Sequence, residues 1–301
     1  MSKSKEPIIQ AGESPQSASS VESESKTLHH RLVLPIQTRG NLGKSTEAIA
    51  RCEWMNARSV QWRGYDLDAS NRTLSTALPN HVTFVPPSAE PEGQVVRILR
   101  GVTKAEVTVV DPSAHMEQTI LRAFRMVRFP EMAAAASARA TVMVYPIDEI
   151  SDMDDIARTV DALRDTVDWI VVRNPARIAT TRFYERSALE RQLGQFGAAR
   201  LDIPPLLTDT RNYLRTQEAR LGRAFSPSQA LTDSSLELDL GHQLILEDWL
   251  EEFFSRLDAI ASHLLPTDVA ARIPKPRETP AIPISDRRRG SSINLENDDE
   301  R

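Results

Sequence analysis

The segment with the clearest chemical potential is TRGNLGKST, which spans residues 38–46. It follows an apolar run rich in branched side chains and precedes a helical pattern, so we expect a loop that leads from a strand into a helix. The N–H groups and the dipole at a helix N-terminus favour an anion at that point. Gly40 and Gly43 would let the backbone approach phosphate oxygens without interference from a Cβ. Lys44 would contact the β- and γ-phosphates, and the Ser45 hydroxyl would be a Mg²⁺ ligand. The segment therefore predicts a nucleoside triphosphate site, and the alternative is a turn without a ligand.

A second apolar run, VTVVD, ends at Asp111. If this run is a parallel strand, its carboxyl end meets the phosphate loop at one edge of the sheet. Asp111 could then hold a magnesium-bound water beside the triphosphate. Apolar strands that end in aspartate are common, so this pattern is only moderately specific when it is taken alone.

Seven short runs are expected to be strands, and several are apolar on both faces, which is typical of a parallel sheet covered by helices. The runs are Arg31–Gln37, Ser59–Asp66, His81–Val85, Glu106–Asp111, Ala140–Tyr145, Trp169–Arg173 and Ala199–Ile203. Helical patterns occupy Ser45–Ala57, Met116–Val127, Met153–Asp165 and Phe183–Leu193. The alternation predicts an α/β fold with a doubly wound, mostly parallel sheet in three α/β/α layers.

The ends of the chain differ in composition from its middle. Residues 1–28 are mostly polar and residues 266–301 are interrupted by prolines, so both are predicted to be disordered tails. Residues 29–238 are expected to form the nucleotide-binding domain. Residues 239–265 place apolar residues on one stripe of a helix with acidic residues opposite. This pattern predicts a C-terminal helix packed on the domain, or alternatively a docking or dimerisation helix.

Composition excludes several classes of protein. The 301 residues are 40% hydrophobic and 26% charged, and no stretch approaches the roughly 18 uncharged residues of a membrane span. Cys52 is the single cysteine, so an intramolecular disulfide and a CxxC metal site are excluded. The N-terminal residues lack the apolar core of a signal peptide, and we expect a cytoplasmic protein. The formal net charge of −5 gives no general attraction to nucleic acids.

The stretch RGNLGKST resembles the deviant Walker A motif of the ParA/MinD ATPase family, whose pattern is K-G-G-x-G-K-[ST]-[ST]. Arg39 stands at the position of the family's signature lysine, and Asn41 stands at its second glycine. The resemblance continues, in the family's order, to about Pro205. It implies a P-loop NTPase fold with ATP and Mg²⁺ as ligands. The phosphate-binding residues that it implies are Gly40, Asn41, Leu42, Gly43, Lys44, Ser45 and Thr46.

The stretch YDLD, followed by Asn71, resembles the family's second motif. The resemblance implies that Asp68 orients the attacking water and that Asp66 supports the Mg²⁺ shell. Ser45 and Asp111 would complete the metal site. The alternative for this stretch is a turn built on acidic and Asn residues.

The stretch WIVVRNP resembles the late strand whose terminal asparagine binds the adenine edge, which assigns that role to Asn174. Pro204 resembles the residue that closes over the base. The sequence has no N-K-x-D motif, which the guanine-specific relatives carry, so ATP is favoured over GTP. An Asn-Pro turn is the alternative for Asn174.

The family's signature lysine reaches across a nucleotide-sandwich dimer to the partner's phosphates. Arg39 keeps the charge and could act there as an arginine finger does, or its larger guanidinium could fail to fit. With Lys44 and Asp68, it completes the predicted catalytic set for phosphoryl transfer to water. After the strand that ends at Asp111, the residues Ser113-Ala114-His115 replace a glycine that the family uses in γ-phosphate sensing.

The function implied by the resemblance is an ATP-binding and ATP-hydrolysing switch protein in plasmid partition, plasmid stability or conjugative transfer. Such a protein would dimerise on binding ATP and act with a small DNA-binding or transfer-machinery protein. A non-hydrolysing nucleotide-binding adaptor and an ATP-dependent biosynthetic enzyme on the same fold are the alternatives.

Two groups of arginines could contact DNA phosphates or could simply face solvent. The first group falls at a spacing of three on a predicted helix and consists of Arg122, Arg125 and Arg128. The second group consists of Arg211, Arg215, Arg220 and Arg223.

Overall fold

The computed structural model describes residues 27–274, so most of both predicted tails lies outside the described residues. The strands are β1 (His30–Pro35), β2 (Trp62–Asp66), β3 (Val82–Phe84), β4 (Val107–Asp111), β5 (Ala138–Val144), β6 (Asp168–Arg173) and β7 (Ala199–Asp202). The first six helices are α1 (Lys44–Ala57), α2 (Thr73–Ala77), α3 (Pro91–Arg100), α4 (Glu117–Met126), α5 (Phe129–Ala135) and α6 (Ile150–Leu163). The later helices are α7 (Ala188–Gln195), α8 (Thr208–Leu221), α9 (Pro227–Thr232), α10 (Leu240–Ala259), α11 (Ala261–Leu264) and α12 (Thr267–Ala270). Single 3₁₀ turns lie at Val102–Lys104, Arg164–Thr166 and Ser234–Leu236.

The seven strands form one sheet in the order β3-β2-β4-β1-β5-β6-β7. Every neighbouring pair is parallel. The chain first winds to one side of β1 and then, from β5 onward, to the other side. The carboxyl end of β1 therefore lies at the point where the winding direction reverses, which is where ligands bind in open parallel sheets. The predicted doubly wound fold is confirmed.

Side chains on successive strand residues point to opposite faces, and each face is covered by helices. Val33 of β1 faces the layer that contains α1 and α10, whereas Leu32 and Leu34 face the layer built from α3 to α7. The strand interiors are apolar on both faces because both faces are covered. This arrangement gives the three α/β/α layers that the sequence predicts.

Helix α10 belongs to the same layer as α1. Its apolar stripe is buried in a cluster shared with α1, and the stripe consists of Leu246, Trp249, Leu250, Phe253 and Leu257. At its C-terminal end, Asp258 accepts a 2.7 Å hydrogen bond from the Trp54 indole and pairs with Arg58 at 2.6 Å. The stripe therefore packs on its own domain, and it is already covered within a single chain.

Several predicted boundaries were wrong. The C-terminal tail was predicted to begin at residue 266, but Thr267–Ala270 forms α12, and Val269 is buried in the core. The helix predicted from Phe183 begins at Ala188, because the Ser187 side chain caps it by accepting the N–H of Glu190. Helix α8 was not predicted, since only Thr210 and Gln217 of its 14 residues are buried and its sequence has no apolar stripe.

Among residues 27–274, no helix is both long enough and apolar enough to cross a lipid bilayer.

Candidate functional site

The loop between β1 and α1 leads into the helix through residues with positive φ. Helix α1 begins at Lys44, directly after Gly43, whose φ is 88°. Asn41 also has a positive φ, of 60°. Asparagine tolerates this left-handed region better than most residues, so Asn41 can adopt this conformation without being glycine.

Gly43 and Asn174 hold this loop against the end of β6. A Cβ on Gly43 would meet the Asn174 amide nitrogen at 2.3 Å. The same nitrogen donates a 3.0 Å hydrogen bond to the Leu42 carbonyl. Asn174 is buried and follows β6 directly, so it holds the loop from a strand that lies two positions from β1 in the sheet. This positioning role was not predicted, and it accompanies the base contact that the resemblance assigns to Asn174.

Residues 40–46 line a cavity of about 480 Å³ at the carboxyl edge of the sheet, here called the loop cavity. Asp68 and Asn71, which follow β2, line its second wall. Residues 112–115, which follow β4, line the third. The sheet thus brings together the three segments that the sequence singled out, and the volume lies within the range of small-molecule sites.

Asp111 lies behind this cavity, wholly buried at the end of β4. Burial raises its pKa to about 7, while a hydrogen bond with Ser45 and the charge of Lys44 act in the opposite direction. Its Oδ2 atom has no hydrogen-bond partner. A buried carboxylate with an unpaired oxygen beside a hydroxyl suits a hard cation.

These residues fit a magnesium ion only if a ligand contributes to its coordination. Within residues 27–274, no group of three or more His, Cys, Asp or Glu side chains is placed to hold a metal. Mg²⁺ commonly binds through one or two protein groups together with phosphate oxygens and waters. Ser45 and Asp111 would be those groups here, and their role as metal ligands stays a prediction.

Asp66 binds the backbone of the turn that follows β2, and its predicted support of the Mg²⁺ shell stays a prediction. It lies beside Asp111 in the sheet register, but one of its oxygens accepts the N–H of Asp68 at 3.0 Å. The other oxygen accepts the N–H of Ser75 at 2.8 Å. Because both oxygens bind backbone N–H groups, Asp66 shapes the turn that presents Asp68. Asp68 itself faces the loop cavity and accepts hydrogen bonds from Ser70 and Asn71.

Lys44 also faces the loop cavity. Its ammonium group donates a 2.7 Å hydrogen bond to the Arg39 carbonyl, across the loop, and the residue is only 8% exposed. Burial lowers its pKa, against the opposing charges of Asp111 and Asp68. A desolvated ammonium held inside a loop of N–H groups is placed to contact a bound phosphate.

Arg39 does not line the loop cavity of its own chain. The contact predicted for it is with the phosphates of a partner subunit, and it stays a prediction. The Arg39 guanidinium pairs with Glu149, and it lies 3.3 Å from Asp152 at the start of α6. Thr38 donates a 2.5 Å hydrogen bond to Asp155 on the same helix. The acidic residues around the start of α6 thus hold the first residues of the loop. The sequence shows these carboxylates, but nothing in their spacing assigns them to the loop.

A second cavity of about 170 Å³ adjoins the first, here called the apolar cavity. Gly43, Thr46 and Arg177 line both cavities. Pro204, predicted to close over a base, lies in its wall, and the Pro204 carbonyl accepts a 2.7 Å hydrogen bond from the indole of Trp249 on α10. The predicted base-binding residue therefore lies in an apolar pocket beside the phosphate loop.

The first arginine group is partly engaged within the chain. Arg122 pairs with Glu92 at 3.3 Å, and Arg125 donates a hydrogen bond to the Leu121 carbonyl one turn earlier. Nothing in these contacts distinguishes a DNA-binding surface from an ordinary solvated helix face.

No protein-family model matches the sequence, and no curated protein matches it significantly. Among solved structures, a MinD cell division protein from Aquifex aeolicus is similar at 14% identity and a TM-score of 0.41, over 74% of this chain and 96% of that one. A MinD from Pyrococcus horikoshii in complex with Mg-ADP gives 14% identity and a TM-score of 0.41, over 74% and 95% of the two chains. The signal recognition particle receptor FtsY from Elizabethkingia anophelis, in complex with GDP, is similar at 10% identity and a TM-score of 0.39. The similarity covers 62% of this chain and 60% of that one.

The fold is assigned from the chain's own strand order. Seven parallel strands form one sheet with β1 in its middle, and the loop that leaves β1 enters α1 through a glycine with positive φ. The chain has a doubly wound, three-layer α/β/α fold.

Proposed function

We propose that this protein is an ATP-binding switch protein that hydrolyses ATP with Mg²⁺. The observation that carries the proposal is the loop cavity, which Lys44, Ser45 and Asp68 face and behind which Asp111 has an unpaired oxygen. N–H groups at the start of α1 and a buried ammonium provide positive potential for phosphates. The adjoining apolar cavity, with Pro204 in its wall, would take the base.

Each residue of the loop cavity has a definable part in this chemistry. The loop backbone and Lys44 would bind and orient the phosphates, and Lys44 would exchange the Arg39 carbonyl for a phosphate oxygen. Asp68, held by its hydrogen bonds to Ser70 and Asn71, would orient the attacking water. Ser45 and Asp111 would hold Mg²⁺, which would supply charge stabilisation when it is bound.

The test is to measure the heat of MgATP binding and the rate of phosphate release for the wild type, Lys44→Ala and Asp68→Ala. Lys104→Ala is the matched control, because Lys104 is exposed and precedes β4 at the opposite edge of the sheet. Lys44→Ala is expected to lose binding, and Asp68→Ala is expected to bind but to release phosphate at a reduced rate. The nucleotide proposal is wrong if the wild type gives no heat with MgATP.

A second candidate function is a nucleotide-binding adaptor that does not hydrolyse ATP. It is favoured by the ion pairs of Arg39 with Glu149 and Asp152, which hold this arginine on its own chain and away from the phosphates. If the wild type binds MgATP and releases phosphate no faster than Lys44→Ala, the adaptor is the correct function.

The more specific role, in plasmid partition, plasmid stability or conjugative transfer through an ATP-dependent homodimer, rests on the resemblance of the sequence motifs. We compare the molecular mass in ATP and in ADP by light scattering. A monomer in both nucleotides would refute the dimer. A gene for a small DNA-binding protein or for a relaxase beside this one would support the assignment to plasmid biology.

A further inference from the structure

Three arginines gather at the wall of the apolar cavity. Arg177 follows β6, and Arg211 and Arg215 lie one turn apart on α8. All three line the apolar cavity, and Arg177 also lines the loop cavity. Two separate segments of the chain thus direct positive charge to the junction between the two cavities.

This cluster has no counter-charge in contact with it. Within residues 27–274, none of the three guanidinium groups makes a hydrogen bond or lies within 4.0 Å of a carboxylate, and the Nε atom of Arg211 is buried without a partner. Arg211 is half-buried, whereas Arg177 and Arg215 are exposed. Partial burial, followed by the charges of Arg215 and Arg211, lowers the pKa of Arg177. Two carboxylates line the same cavity: Glu47 is paired with Arg51 at 2.7 Å, and Glu218 is influenced by Arg215 without lying within 4.0 Å of it.

Two arginines that follow on the same part of the chain do have partners. Arg220 donates hydrogen bonds to Gln217 and to the Ser235 carbonyl. Arg223 pairs with Asp233 at 3.0 Å. The second arginine group of the sequence analysis therefore has two parts. Arg220 and Arg223 have partners and do not line the apolar cavity, whereas Arg211 and Arg215 line it without partners among the described residues.

We propose that Arg177, Arg211 and Arg215 form a second anion site, which binds a phosphate group separate from those held by the β1–α1 loop. Like charges in a partly desolvated wall repel each other, and an oxyanion removes this repulsion while it satisfies their donors. Guanidinium groups bind phosphate through two parallel hydrogen bonds, which a carboxylate-poor wall leaves available.

The phosphate has two possible sources. It can be a further phosphate on the ribose of the same nucleotide, because Arg177 borders both cavities. It can also be a free inorganic anion. Only the first source rests on the proposed nucleotide function, since a free anion needs no base in the apolar cavity.

Calorimetry on the full chain separates these sources with three probes, which are AMP, adenosine 3′,5′-bisphosphate and pyrophosphate. The test variant is Arg211→Gln with Arg215→Gln, and the matched control is the paired Arg220→Gln. If the source is the ribose, the bisphosphate binds about tenfold or more tightly than AMP to the wild type, and the double variant removes this difference. If the source is free, pyrophosphate binds to Lys44→Ala as well as to the wild type, and its affinity falls about tenfold in the double variant.

The proposal is overturned if the bisphosphate binds no more tightly than AMP and pyrophosphate binds the double variant as it binds the wild type. It is also overturned if the double variant loses affinity only for duplex DNA. Arg177→Gln provides an independent test if the double variant does not fold. Failure of ATP binding with retained pyrophosphate binding would refute the nucleotide proposal and leave this anion site standing.

Discussion

The contact between Gly43 and Asn174 gives the most direct test of how the phosphate loop is held. Alanine at position 43 would have to adopt a φ near 88°, which costs an L-residue about 1–2 kcal/mol. Its Cβ would also lie 2.3 Å from the Asn174 amide nitrogen, so that amide must move and lose its hydrogen bond to the Leu42 carbonyl. Leaving these buried groups unpaired costs about 1–3 kcal/mol. We therefore expect Gly43→Ala to lower the free energy of unfolding by about 2–5 kcal/mol.

A double-mutant cycle isolates the free energy of the hydrogen bond that both substitutions remove, from Asn174 to the Leu42 carbonyl. Asn174→Ala removes the same hydrogen bond and is expected to cost about 1–3 kcal/mol by itself. In the double variant the bond is lost only once and the overlap is relieved. Its total cost should therefore equal that of Gly43→Ala alone, about 1–3 kcal/mol less than the sum of the single variants.

Urea unfolding at constant pH gives the free energy of unfolding of the wild type, the two single variants and the double variant. Equal m-values would establish that the four unfolding transitions are comparable. If the two single costs add to within about 0.5 kcal/mol, Asn174 does not support the loop and the geometric argument is refuted. Nucleotide binding by Asn174→Ala then shows whether the residue also contacts the base.

Three further outcomes are expected. Because burial raises the pKa of Asp111 from 3.8 to about 7, the folded chain retains a proton there that the unfolded chain loses, so the contribution of Asp111 to the free energy of unfolding falls as pH rises between these values and levels off above 7. Urea unfolding of the wild type and of Asp111→Asn should therefore differ by an amount that changes with pH over this range, and the same pH slope in both proteins would contradict the assignment. Glu47→Gln leaves Arg51 buried without its 2.7 Å ion pair and should cost about 3–5 kcal/mol in urea unfolding, whereas a cost under about 1 kcal/mol would contradict the pairing. Arg39→Ala removes a side chain that is 46% exposed, so the free energy of unfolding should fall by less than about 1 kcal/mol in urea, and a larger cost would contradict this. If stability is unchanged, loss of an ATP-dependent dimer in light scattering would support the predicted contact with the partner's phosphates.

The strands and the main phosphate loop could be predicted from the sequence because their signals are local. Apolar runs covered on both faces mark parallel strands wherever they lie in the chain, and each of the seven predicted runs overlaps one strand. Gly43 precedes a helix start, and the structure gives it the positive φ that glycine allows. Helix α8 escaped prediction because its buried side chains are polar and its pattern lacks an apolar period.

The partners of each charged residue were decided only by the tertiary structure. Arg39 and Lys44 lie five residues apart in one loop, yet the fold pairs the first with α6 and turns the second into the loop cavity. Asp66 and Asp111 both end apolar strands, but the turn after β2 uses both oxygens of Asp66 while Asp111 keeps one unpaired. Local sequence determines which backbone forms and which side chains are available. Which opposite charge a side chain meets depends on segments that are distant in the chain and adjacent in the sheet, and this pairing determines whether it binds a ligand or supports the fold.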